Sequence, residues 1–147
     1  MSKVFQAFLT GIFFTFILDF FIFLGIKENY IDFYKIDLYY NILFADNQNI
    51  FIYLIVSAII GYIIVYIDNN KLSVIVIGTL FSIASLTLIP SIGKSLGATL
   101  FVNKNITFYD SIHTYNGDIY YNGRDKITFY DYELQKIITL NKKELKQ

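Results

Sequence analysis

Residues Val4 to Ile26 read VFQAFLTGIFFTFILDFFIFLGI, and Asp19 is the one charge in the run. About 20 helical residues cross a bilayer core, within a range of roughly 17–25. This stretch is therefore expected to be a transmembrane helix. It follows Ser2-Lys3 as a secretory leader would. Its apolar run is too long for a leader core, however, and no small-x-small cleavage site follows. We expect a retained helix.

Two further apolar runs lie downstream, at 50–67 and 72–93. The polar turn Asp68-Asn69-Asn70-Lys71 between them predicts an antiparallel helical hairpin. Composition agrees: 55% of the 147 residues are apolar and 16% charged. Mean hydropathy is +0.49. Soluble domains run at about 45–50% apolar and about 25% charged. A 17.1 kDa chain has too little interior to bury this much apolar surface. A soluble globular protein, a disordered tail and a charged nucleic-acid binder are all excluded. Twelve basic residues balance twelve acidic ones, so no basic field awaits phosphates and no nucleic-acid partner is expected. The absence of cysteine removes disulfides, thiolate nucleophiles and thiolate metal sites.

The loop at 27–49 is rich in aromatic and apolar residues, including Tyr30, Phe33, Tyr34, Ile36, Leu38, Tyr39, Tyr40 and Phe44. Glu28, Asp32 and Lys35 fit one helical face, and Ile31, Leu38 and Ile42 another. Aromatics with few charges suit the headgroup region. The segment is expected to lie at the interface and cover the bundle. The sharper alternative is a partner-docking or lipid-contact surface around Tyr34 and Tyr39.

From about Val102 the chain changes character. Gly, Asn and Asp separate short β-branched and aromatic runs. The pentapeptide Ile106–Asp110 recurs verbatim as Ile127–Asp131, and Tyr115-Asn116-Gly117 recurs as Tyr121-Asn122-Gly123. Asn-Gly is a strong hairpin signal. Strands are predicted near 105–110, 112–115, 118–122, 126–132 and 136–140, forming an antiparallel meander. Such a small sheet is marginal alone. Its apolar residues, among them Phe108, Ile119, Tyr121, Phe129 and Ile137, are expected to need a cover from the 27–49 loop, a second copy or another protein. Lys142-Lys143-Glu144-Leu145-Lys146 is expected to be a frayed helix. The fold class is thus membrane α+β: a membrane domain over 1–97 with three spans, then a small β domain over 98–147.

Lys3 before the first helix, and an acid-rich loop after it, favour a cytoplasmic N-terminus in an inner membrane with the sheet periplasmic. Counting basic residues alone gives the reverse.

Asp19 carries the most information. An ionisable group within a span costs roughly 2.5–3.5 kcal/mol on insertion scales. It lies seven residues before Ile26, about 10 Å inside that end at 1.5 Å per residue. Ala7, Gly11, Thr15 and Asp19 recur every fourth residue and form a small-or-polar packing stripe. Matching seams are Tyr53, Ser57 and Gly61 in the second run, and Gly78, Ser82 and Ser85 in the third. Asp19 is expected to face inward, with Thr15, Ser57 or a tyrosine as partner. The alternatives are a cation on another subunit or a proton relay. Pro90 is expected to kink or end the third helix, and Ser91 to Gly97 to form a flexible exit.

Asp110, Ser111 and His113 suggest a catalytic triad, but neighbours on one strand point to alternate faces. No nucleophile elbow, phosphate loop or paired-histidine zinc motif is present. No catalytic residue, metal or cofactor is therefore assigned. The expected function is a non-enzymatic accessory subunit, assembly factor or chaperone of an envelope complex. Its partner-binding residues would be Asp19, Thr15, Gly11, Tyr34 and Tyr39. The alternative is a homo-oligomeric channel or carrier using Asp19.

Overall fold

The structure, a computed structural model, describes residues 2–67, 69–110 and 113–145. Helices α1 (Lys3–Ile26), α2 (Tyr40–Asn47), α3 (Ile50–Tyr66), α4 (Asn70–Ser85) and α5 (Pro90–Phe101) come first. The strands β1 (Asn103–Tyr109), β2 (Thr114–Asn122), β3 (Lys126–Asp131) and β4 (Lys136–Asn141) follow. The layout is α+β.

The Ser2 side chain caps α1 by accepting from the Phe5 amide. The helix then runs on through a π turn at Lys27–Ile31. Lys3–Ile31 and Asn70–Leu88 are each long and apolar enough to cross a membrane. α2 and α3 pass the same test of length and composition only when taken together, and they are bent by 86°; α3 by itself has 17 residues, the short end of what crosses a bilayer. α3 runs antiparallel to α1: Gly61 meets Ala7, and Ser57 meets Gly11. α4 runs parallel to α1, with Phe81 against Phe14 and Phe21 and Thr87 against Gly25. The start of α1 and the α3–α4 turn therefore share one end of the bundle, and α2, α5 and the sheet gather at the other. Asn69 caps α4 through the Leu72 amide; Asp68 of the predicted turn lies outside the described residues.

The third apolar run does not continue to Gly93. It ends in a 3-10 turn at Leu86–Leu88, and α5 restarts with Pro90 in its first turn. A proline is tolerated there because that N–H has no intrahelical partner. The Asn29 side-chain nitrogen (Nδ2) donates to the Thr87 and Leu88 carbonyls at 3.1 and 3.2 Å, which stabilises the break. Residues 91–97 are helical and not a flexible exit. The reason is packing: a Cβ on Gly97 would lie 2.4 Å from Cγ of Tyr30, so only glycine admits that ring.

The sheet is an antiparallel meander in the order β1-β2-β3-β4. It has four strands, not the five predicted. Asn116-Gly117 makes no turn: Asn116 pairs with Thr107, and Gly117 pairs with Ile106 on one side and Asp131 on the other. Among the described residues no glycine has positive φ. What Gly117 supplies is room, since a Cβ there would lie 1.9 Å from the Tyr130 carbonyl oxygen. The repeated pentapeptides occupy β1 and β3, on either side of β2.

Phe108, Ile119, Ile127, Phe129 and Leu140 form the sheet's own core, with Leu145 packed against it. Of the expected covers, the 27–49 loop packs on Tyr121 and Leu145 on the remaining core, whereas Ile137 stays 41% exposed. The tail makes a 3-10 turn at Lys142–Glu144 in place of the frayed helix; Lys146 lies outside the described residues. A second core joins Phe23, Ile26, Tyr30, Ile31, Ile36 and Leu43 to Tyr121 of the sheet. The aromatic loop, together with Phe101 of α5, therefore joins the helices to the sheet.

Candidate functional site

Two polar features stand out in this apolar chain: the seam between α1 and α3, and the junction between loop and sheet.

At the seam, a Cβ on Gly11 would lie 1.8 Å from the Ser57 carbonyl oxygen, and one on Gly61 2.0 Å from that of Ala7. Backbones approach this closely only where both helices carry small residues at four-residue spacing. The Tyr53 hydroxyl donates to the Ile12 carbonyl at 2.9 Å. Thr15 and Ser57 are buried, and neither hydroxyl has a hydrogen-bond partner. One turn further along α1, Asp19 is half-buried and accepts from the Gln48 side-chain nitrogen at 2.8 Å. Gln48 sits at the α2–α3 bend. Thr15, Ser57 or a tyrosine is the expected partner of Asp19; the hydrogen bond comes instead from a side-chain amide just ahead of the start of α3. The polar run Asp46-Asn47-Gln48-Asn49, just before an apolar helix, is the signal that would have found it.

Gly11 and Thr15 are buried against the chain's own α3, so their face is not free for another helix. The third seam behaves in the opposite way. Gly78 is exposed, and a Cβ there would meet nothing within 4 Å. The Ser82 hydroxyl is satisfied within its own helix by the Gly78 carbonyl at 2.8 Å.

At the junction, the Tyr34 ring lies 5.0 Å from that of Tyr30 and 4.5 Å from that of Tyr120. Tyr34 therefore holds the sheet and is not an open docking residue. Tyr39 is 73% exposed. The Tyr30 hydroxyl donates to the Tyr120 carbonyl at 2.8 Å, and the Tyr121 ring meets Phe101 at 5.2 Å. Neighbouring strand residues ordinarily face opposite ways. The β-bulge between Ile119 and Tyr121 lets Tyr120 and Tyr121 both meet the helical part. The sole arginine, Arg124, forks onto both carboxylate oxygens of Asp46, with Nε at 3.1 and 2.9 Å. Sequence reasoning singled out neither member of this pair. Lys94 sits over the Phe33 ring at 3.5 Å.

On the sheet, Asp118 accepts from the Tyr132 hydroxyl and from the Asn105 amide. That hydrogen bond pushes the Tyr132 phenol up from its ordinary value. Asp110 does the same to Tyr115. His113 is exposed, 3.7 Å from Asp110, and Ser111 lies outside the described residues. Among the described residues no three His, Asp or Glu side chains converge on a metal position. Compared with protein-family models, curated proteins and solved structures, the chain matches none.

Proposed function

We propose that this protein is a non-enzymatic accessory subunit or assembly factor of a larger complex in the inner membrane. In this reading α1, α3 and α4 cross the bilayer, and the sheet stands on the periplasmic side. Large apolar residues on outward helix faces support the membrane setting: Phe13, Phe51 and Val74 are 59, 75 and 70% exposed. Such surface suits lipid or a partner helix and not water.

The observation that carries the reading is the contrast between the three seams. Those of α1 and α3 close on each other at backbone contact, whereas the Gly78–Ser82 face of α4 is open. A partner helix would pack on that face by the same small-residue logic. The Asp19 stripe, expected to bind a partner, serves here to close the bundle.

The test is co-purification of the tagged protein from its own membranes in mild detergent, beside a Gly78→Leu variant. A stoichiometric membrane protein, lost on substitution, is the expected result. Recovery of the chain alone, or only as copies of itself, overturns the proposal.

A further inference from the structure

A cleft of about 370 Å³ opens between the segment after the π turn and the outer part of the sheet. Its volume is in the range of small-ligand sites. One wall is a cross-strand row: Tyr121 pairs with Thr128, and Thr128 with Thr139. The opposite wall is apolar, with Leu38 and with Ile42 of α2. The Arg124–Asp46 fork ties sheet to α2 beside the cleft, so the two walls are held together.

Besides Arg124, the lining carries two cations, Lys35 and Lys126, and two anions, Asp37 and Asp125. Among the described residues none of the four forms an ion pair. Asp46 already neutralises Arg124. The rim is therefore charge-balanced but internally unpaired, which matches a ligand carrying both signs. Lys ammoniums suit a phosphate. Carboxylates accept hydrogen bonds and so favour an ammonium that still has N–H groups.

We propose that this cleft holds the headgroup of a zwitterionic phospholipid with a primary ammonium, namely phosphatidylethanolamine. Lys35 and Lys126 take the phosphate, and Asp37 and Asp125 take the ammonium. Leu38 and Ile42 meet the start of the acyl chains. Continuity with the membrane surface argues for lipid over a soluble ligand. α2 turns 86° from α3 and lies across the end of the bundle, and the adjoining Tyr39 is 73% exposed. The proposal rests on α1, α3 and α4 being spans, not on the accessory role.

The full chain is placed in nanodiscs of equal parts phosphatidylethanolamine, phosphatidylcholine and phosphatidylglycerol. Lipid adducts are then counted by native mass spectrometry during stepwise delipidation. Phosphatidylethanolamine is expected to be retained about tenfold over either competitor, a ratio equivalent to about 1.4 kcal/mol. The Asp37→Asn/Asp125→Asn variant should lose that preference. The Lys35→Gln/Lys126→Gln variant should hold less of all three lipids. Equal retention of the three, a preference for phosphatidylglycerol, or a preference that survives the double Asn substitution overturns the proposal. So does binding of free phosphoethanolamine as tight as that of the lipid. Carbonate extraction in parallel separates the two readings. A chain released by carbonate removes the spans, whereas a retained chain without lipid preference removes only the cleft.

Discussion

The Asp19 carboxylate accepts a 2.8 Å hydrogen bond from the Gln48 side chain, across the bend where α2 gives way to α3. An acid well inside one apolar helix thus meets the segment that leads into another. A carboxylate needs donors when water is excluded, and an amide supplies them without adding charge.

Asp19→Asn keeps an acceptor oxygen in place and should leave stability close to wild type. Gln48→Leu removes the donor and strands the acid, at a cost of about 1–3 kcal/mol. Thermal unfolding in detergent measures both. Equal losses in the two variants would mean that the bond does not set the bend.

The α1–α3 seam gives a sharper contrast. Gly11→Leu and Gly61→Leu force side chains into backbone positions on the facing helix. Each should lower stability by about 1–3 kcal/mol or more. Gly78→Leu, on the open face of α4, should leave the melting temperature of the isolated chain unchanged. A comparable loss at Gly78 would show that α4 packs more closely than its open face implies.

How the sheet is held separates two tyrosines that look alike in sequence. Tyr34→Ala removes rings' contacts to Tyr30 and Tyr120 and should loosen the sheet. Tyr39→Ala, at an exposed position, should not. Tyr30→Phe, which deletes only the hydrogen bond to Tyr120, should cost about 1 kcal/mol. Hydrogen exchange of the β2 amides is the readout. Unchanged exchange in Tyr34→Ala would make the junction incidental.

Much of this architecture was legible because it follows from periodicity. The run Val4–Ile26, the polar turn ahead of α4 and the alternation in β3 each announce an element. What escaped reading depends on contacts between distant residues. Lys27-Glu28-Asn29 looks like the start of a loop, yet the helix continues because Asn29 reaches the end of α4 and Tyr30 needs the space at Gly97. Asn116-Gly117 looks like a turn, yet the glycine serves strand approach. The stripe through Gly11 was legible as a packing face, but its partner was not. A small-residue seam specifies close contact and does not name the helix that makes it.

Alkaline pH acts on the sheet through Asn105, Asp118 and Tyr132. Asn105 has φ of 56°, a left-handed conformation that asparagine tolerates better than most residues. Its amide donates to Asp118, which also accepts from the Tyr132 hydroxyl. The bond stabilises the protonated phenol, so the folded value lies above the ordinary 10.0. A group raised on folding contributes stability that is complete below its unfolded value and is lost as pH climbs through the folded one. The sheet should therefore weaken above about pH 10. Tyr132→Phe should flatten that loss and remove one late-titrating phenol from the ultraviolet tyrosinate titration. If the variant melts with the same alkaline slope as wild type, Asp118 is held in place by the Asn105 amide alone.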